Sequence, residues 1–533
     1  MEKGTMKAHS KPETSWNPTV IFGAGLCLAQ LVIFNLGFRF VSHTEEVTPR
    51  LPHMSRQVFQ QVHRKNHTKK RILDPTADGT FNGYPLHFQE TTRPRTLSHC
   101  VGEDYQEGNS WKQKSCYFQF FCFDTSTKEY VVYQPPEEEK IYDLLDQLPF
   151  VDVSQSYLKP GRNRTNSMSL GGINLKWGYN NDKGIQRLEW FPEIRRIKPG
   201  ENLSFYQLPS DVVMVPFHSM NAANPGHLVW DDFLPVYTLL TMFQLEKDSQ
   251  LLLMRYILKD GRGLWASCDF KEEKRDACEK MHQKFLPLMM GQNPLHDLTT
   301  TENFDFHVTG DAKSNLVCAP HGLAGFGALT DHGPTKLHGW EDADYQTTHN
   351  HGRGGMLYDF RNFMMSNIGV PVEYTHVPPF RIIFSEKSSE NQMRNLDFRR
   401  QKEVIRNSFN PTYVTIESYV FKDIPLVEQI EIASQATIYI TGVGGGAVTA
   451  TFLPRGASVF LYFLETGGVV GGRDSGKPAR LDWDLFNNLG YLKVHWLPRG
   501  TMHKESDLRS LVYLIHHELD ALMRERSYDK FFF

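Results

Sequence analysis

Three consecutive glycines, Gly444, Gly445 and Gly446, are the residues whose setting points most directly to chemistry. They lie in "IYITGVGGGAVTATFLPRGASVFLYF", residues 438–463, after a β-branched apolar run that ends at Thr441 and Gly442. A second apolar stretch, a Pro-Arg-Gly turn and another strand-like run follow. Glycines between a parallel strand and the next helix let backbone N–H groups come close to a ligand, and the helix N-terminus favours negative charge there. A phosphate-bearing ligand fits that chemistry, with Thr441 beside it. The run Gly-Val-Gly-Gly-Gly matches neither G-x-G-x-x-G nor the P-loop, which requires a following Lys-Ser or Lys-Thr. Tight packing of helix on strand therefore stays open as the other explanation.

The elements that must position this turn are regular. "FRIIFS", a helical "LDFRRQKEVIRNSF", "YVTIES", a helical "PLVEQIEIASQ" and "TIYIT" read as β-α-β-α-β. Each strand is a short apolar run without polar alternation, as expected when helices cover both faces of a parallel sheet. "ASVFLYF" and "LKVHWLP" add strands, and residues 378–500 read as a Rossmann-like domain. Residues 501–533 form a closing helix and tail, with Leu508, Leu511, Val512, Ile515, Leu519 and Leu522 on one helical face. Upstream, over 96–377, strand-like runs such as "EYVVYQ" and "DVVMVPFH" alternate with helical stretches such as "FLPVYTLLTMFQLEK" in a less regular α/β pattern.

The N-terminal region differs. Residues 18–38, "PTVIFGAGLCLAQLVIFNLGF", carry no charge over about the length that crosses a bilayer as a helix. A buried core helix and a cleaved signal peptide are the rival readings; the apolar run is long for the latter. Lys3, Lys7 and Lys11 precede the span, which favours a cytoplasmic tail over 1–17 and a lumenal remainder. Residues 39–95 are basic, rich in His and Pro and without sustained periodicity, and read as a stem. Asn66, Asn163 and Asn202 open sequons consistent with a lumenal head. Cys27 lies in the span; Cys100, Cys116, Cys122, Cys268, Cys278 and Cys318 remain, an even number available for disulfides in an oxidising compartment. Free buried thiols are the alternative, and the connectivity is open, although Cys268 and Cys278 bracket a short polar loop. The net charge of −3, with Lys and Arg scattered, provides no footprint for nucleic acid.

A family resemblance follows from these residues. "IPLVEQIEIASQATIYITGVGGGAVTATFLPRGASVFLYF" resembles the donor-domain signature of family 61 glycosyltransferases. Glu428, Gln429 and Ile430, Gly444 to Gly446, and Phe452, Leu453, Pro454, Gly456 and Ala457 match in order. "NPGHLVWDDFLPVYTLL", "GRGGMLYDFRNFMMSNIGV" and "KSCYFQFFCFD" resemble further segments of the same proteins. The resemblance implies a GT-B architecture of two Rossmann-like domains facing a cleft, preceded by one transmembrane helix and a stem. It also implies inverting, metal-independent transfer of xylose, N-acetylglucosamine or arabinose from a UDP-sugar to a glycan or glycoprotein. A type II protein of the Golgi membrane is expected, with the endoplasmic reticulum as the alternative.

On that reading Gly444 to Gly446 face the diphosphate. Lys387 and Arg394 are candidates to neutralise phosphate charge. Val443 stands where the family has His, and Leu461 where it has an acid, with Glu465 a possible ribose ligand in its place. A non-catalytic, lectin-like or scaffolding relative is therefore the alternative function. Inverting transfer needs a general base for the acceptor hydroxyl. Asp231 and Asp232, with His227 four residues before Asp231, are the candidates; Asp232 is preferred, with the other aspartate capping a helix. An N-cap pair beside a structural histidine is the competing explanation. His349 and His351 in a Gly-rich loop lack a nearby third ligand and read as solvated, and the Asp342-x-Asp344 spacing, which metal-dependent transferases use, reads in this fold as an exposed loop.

Overall fold

The structure is a computed structural model. It describes residues 74–101, 115–133, 151–152, 168–169, 189–190, 192–198, 200–219, 222–247, 249–257, 268, 271–291, 306–325, 327, 329–330, 333–334, 352–386, 396–463 and 485–529. The chain divides into compact units at 1–53 and 54–533, and every described residue lies in the second.

The C-terminal sheet consists of β13 (Phe380–Ser385), β14 (Val414–Tyr419), β15 (Ile438–Gly442), β16 (Ser458–Phe463) and β17 (Lys493–Pro498). All neighbours run parallel, in the order β14-β13-β15-β16-β17. Counted within the sheet this is 2-1-3-4-5, a doubly wound order whose switch point lies between β13 and β15. Side chains at successive positions enter opposite faces. Ile382, Phe384, Ile438, Ile440 and Phe460 pack beneath α4 (Arg399–Ser408) and α7 (Glu505–Asp529), with Ile405, Leu511, Ile515 and Leu519. Ile383, Tyr439, Val459 and Leu461 enter the other face with Leu426, Ile430 and Ala433 of α5 (Leu426–Ala433). Burial on both faces is why these strands lack polar alternation.

The N-terminal sheet is built differently. Its strands among the described residues are β1 (Gly79–Phe81), β2 (Tyr84–Thr91), β3 (Leu97–Val101), β4 (Ser115–Asp124), β5 (Glu129–Tyr133), β6 (Val151–Asp152), β7 (Glu193–Arg195), β8 (Leu203–Gln207), β9 (Val212–Phe217), β10 (Gln250–Arg255), β11 (Phe306–Val308) and β12 (Leu316–Gly325). The main path runs β11-β1-β2-β8-β12-β4-β3-β6, with β9 bridging β10 and β12 and β5 bridging β4 and β7. Only β8/β12, β9/β10, β9/β12 and β5/β7 are parallel; the other pairs are antiparallel. Two disulfides join residues directly opposite on neighbouring antiparallel strands, Cys100–Cys116 and Cys122–Cys318. Phe81, Phe118, Phe121, Phe123 and Tyr130 fill the adjoining core.

These facts correct the expected fold class. Among the described residues the N-terminal half is a mixed, largely antiparallel sheet that contains three parallel strands in the order β10-β9-β12, rather than a second Rossmann-like domain of parallel strands throughout. No helix among the described residues is long and apolar enough to cross a membrane; residues 18–38 lie outside them. The stem assigned to 39–95 is corrected over its last part, because β1 and β2 belong to the large sheet and bury Phe81, Tyr84 and Leu86. Their short, half-polar pattern was unlike a core strand because β2 buries only alternate residues over its first half. The two sheets are joined by one apolar cluster that runs from Val213, Val215 and Phe217 on β9 to Tyr439 and Val459 on β15 and β16.

Candidate active site

The carboxyl end of β15 is where the parallel sheet opens. Gly444 has φ 127° and ψ −153°, a conformation that essentially only glycine adopts. Gly445 is different. It starts α6 (Gly445–Val448) outside the left-handed region, and a Cβ built on it would meet, among the described residues, only Cγ of Pro225 at 3.7 Å, an ordinary contact. Neither backbone strain nor packing against the described residues demands glycine at that position. The Tyr439 hydroxyl donates to the Gly446 carbonyl at 3.0 Å, and the Val443 amide to the Tyr462 carbonyl at 3.0 Å, which fix the turn from below. Burial raises the Tyr439 hydroxyl pKa well above its ordinary value, so this donor stays protonated. Thr441 is buried, and its hydroxyl donates to the adjacent Gly442 carbonyl at 3.2 Å.

The helix expected after the glycines is short: four residues of α6, then a 3-10 segment, Thr449–Phe452. A long macrodipole is thus absent; the Ala447 amide donates to the Gly444 carbonyl at 2.8 Å, and what the turn offers a ligand are the amides of Gly445 and Gly446.

Pro225 belongs to the facing element. A π-helical turn, His227–Phe233, follows β9 and continues into α1 (Leu234–Met242). Leu228, Val229, Trp230, Asp231, Asp232 and Phe233 are all buried, because the turn is wedged between β9 and the parallel sheet. The wider turn of a π-helix is a recurrent feature of functional sites. Trp230 donates from Nε1 to Thr451 Oγ1 at 3.1 Å and meets Phe486 edge-on at 5.5 Å between centroids. Thr451 and Phe452 are held from other sides: Tyr491 Oη donates to the Thr451 carbonyl at 2.7 Å and Arg361 Nη2 to the Phe452 carbonyl at 3.3 Å. Arg361, on α3 (Gly354–Asn367), is itself buried, which depresses its pKa.

The three candidate residues of the π turn separate into two arrangements. His227 Nδ1 lies 2.5 Å from Asp231 Oδ2; the imidazole side chain is 18% exposed and the carboxylate 1%. A donor at Nδ1 leaves the Nε2 lone pair as the ring's acceptor. Asp232 is equally buried, and its Oδ2 accepts a hydrogen bond from the Ser219 hydroxyl. Neither aspartate caps a helix, since the π turn and α1 have no side-chain cap at their N-termini. The expectation that one aspartate caps and the other faces the cleft is corrected: the turn buries Leu228 to Phe233, and both carboxylates take internal donors.

Of the remaining expected site residues, Lys387, Arg394 and Glu465 lie outside the described residues, as do Asn66, Asn163, Asp342, Asp344, His349 and His351. Asn202 is exposed just before β8. Leu461 is fully buried within β16. Cys268 and Cys278 are bonded to each other beneath the π turn, Cys278 lying on α2 (Glu272–Phe285). Among the described residues no group of three or more His, Cys, Asp or Glu is placed to hold a metal ion. Ser219, Pro225, Trp230 and Thr451 complete the site without having been legible. Ser219 sits 13 positions from its partner and Trp230 221 positions from its own, distances at which spacing carries no signal.

No protein-family model matches the chain, and no curated protein matches it. Among solved structures it is similar to the bacterial iron-containing dodecameric glycosyltransferase TibC from enterotoxigenic E. coli H10407. The TM-score is 0.20 and the identity 10%, over 87% of this chain and 99% of that one. A superposition that loose carries no argument.

Proposed function

We propose that the chain is an inverting glycosyltransferase that moves xylose, N-acetylglucosamine or arabinose from a UDP-sugar to a hydroxyl of a glycan or glycoprotein. The observation that carries this reading is Gly445: a glycine at the switch point of a doubly wound sheet, required by neither its backbone nor its described neighbours, is explained by a ligand lying against it. Diphosphate oxygens suit the first-turn amides of Gly445 and Gly446 and the backbone of the Gly444 turn. His227, on the facing π turn, takes the acceptor hydroxyl's proton at Nε2, while Asp231 holds the ring in the Nδ1–H tautomer and stabilises the imidazolium that forms. The acceptor oxygen attacks the anomeric carbon as its bond to the UDP oxygen breaks, and the first-turn amides stabilise the departing diphosphate. Asp232, though acidic, is enclosed with Ser219 and serves to hold the turn. Three disulfides suit an oxidising compartment such as the lumen of the secretory pathway.

The test is a thermal-shift titration of the protein with UDP, then a panel of UDP-sugars scored for hydrolysis and transfer. Saturation at about 100 times Kd raises stability by about 2.7 kcal/mol. No shift at millimolar UDP, with no donor turned over, would sink the proposal in favour of a non-catalytic relative.

A further inference from the structure

The three disulfides do different work. Cys100–Cys116 and Cys122–Cys318 staple strands of the N-terminal sheet. Cys268–Cys278 lies instead at the carboxyl end of β9, where the chain leaves the sheet for the π turn. Both of its sulfurs are fully buried. The Cys268 amide donates to the Ser219 carbonyl at 3.4 Å, and the Ala222 amide points to Cys268 Sγ at 3.3 Å. The same sulfur lies 3.6 Å from Ser219 Oγ. A disulfide sulfur carries no proton, so this last contact is packing, and the single Ser219 hydroxyl proton goes to Asp232 Oδ2.

A continuous path results: α2, Cys278, Cys268, Ser219, Asp232, and from there the π turn that bears Asp231 and His227. Further support comes from α2, where buried His282 lies against Phe217, the last residue of β9, with ring centroids 5.6 Å apart. We propose that Ser219, held by the Cys268–Cys278 disulfide, is a positioning residue that sets the place of the π turn through Asp232. It touches no substrate, and breaking the clamp lowers turnover without removing any group that binds or reacts.

This inference rests on the His227 reading above, so its test has two arms. In the full-length protein, Ser219→Ala and the double variant Cys268→Ala/Cys278→Ala are compared with Cys100→Ala/Cys116→Ala. Hydrogen exchange followed by mass spectrometry is the first arm. Faster exchange over peptides spanning 219–233 is expected in the first two variants, and parent-like exchange there in the third. The second arm is steady-state transfer: kcat falls by about tenfold or more in the first two variants, as for a misplaced reacting group, while KM for the donor stays within about twofold. Parent-like exchange over 219–233 in both Ser219→Ala and the Cys268/Cys278 variant overturns the inference whatever the kinetics show. Equal exchange changes in the Cys100/Cys116 variant overturn it too, by revealing only general loosening. If the parent transfers no sugar from any donor, the functional proposal fails, while the exchange arm still decides whether the clamp positions the turn.

Discussion

The two sheets reach similar burial by opposite means. The C-terminal sheet is parallel throughout, each strand followed by a covering element, and residues 319–533 contain no cysteine. The N-terminal sheet mixes directions and carries two cross-strand disulfides between residues directly opposite in register. Parallel strands joined by right-handed crossovers specify their own order. A mixed sheet whose neighbours lie far apart in the chain, such as β4 and β12, gains from a covalent link that closes the long intervening loop. The comparison teaches where each half is vulnerable, and the site lies along the seam that both share.

The largest expected effect is on the N-terminal sheet alone. The Cys122–Cys318 bond spans 196 residues, so Cys122→Ala/Cys318→Ala should lower unfolding free energy by about 4–5 kcal/mol in urea titration. A loss no larger than that of Cys268→Ala/Cys278→Ala, which spans only 10 residues, would break the idea that loop closure matters here.

Next is the seam itself. His227→Gln should lower kcat by about 10²–10³-fold, with UDP affinity held within about threefold by calorimetry, since it removes the proposed proton acceptor and leaves the glycine turn intact. Full activity in this variant would return the base to Asp232 or Asp231.

A third, smaller effect sharpens the role of the parallel sheet. Gly445→Val should fold, because among the described residues a Cβ at this position meets only Pro225 Cγ, at 3.7 Å, yet bind UDP about tenfold or more weakly as the branched side chain enters the place proposed for the diphosphate. Parent-like UDP affinity in a folded Gly445→Val would show that the turn only packs.

The smallest effect concerns one ion pair in each sheet. Hydrogen bonding from Arg381 lowers the Glu417 pKa; for Asp124 burial acts upward but is outweighed by hydrogen bonds from Ser126 and Arg195. With folded pKa values below the unfolded ones, the stabilisation is present above about pH 4–4.5 and is lost as pH falls through the folded values. Asp124→Asn and Glu417→Gln should each flatten the acid limb of the stability profile by at most about 1 kcal/mol, Asp124→Asn more because its carboxylate is less exposed, 8% against 28%. Equal stability losses at pH 7 and pH 3 in these variants would assign the effect to packing instead.

Much of the C-terminal half was legible in residue order. Runs such as "FRIIFS" and "TIYIT" lack polar alternation because helices cover both faces, and α7 shows its buried stripe as a period of three to four. That logic depends only on neighbours along the chain, which is what a sequence displays. The glycine turn was legible for the same reason, as a break between a strand and an apolar stretch. The N-terminal half was not, because the β1–β2 hairpin is recruited into the sheet by antiparallel pairing of β1 with β11 and of β2 with β8, partners far away in the chain, and pairing across such distances leaves no periodic trace. The site divides along the same line. His227, Asp231 and Asp232 stood out by type, but their roles were settled by donors from elsewhere: Ser219 encloses Asp232, the π turn sets Asp231 against His227, and Trp230 reaches Thr451 from the opposite sheet. The sequence by itself determined which elements form and which residues could react. Only the tertiary structure decided which carboxylate faces a histidine and which faces a serine, because that depends on the π geometry of the turn and on where the end of β9 places Ser219, neither of which residue order displays.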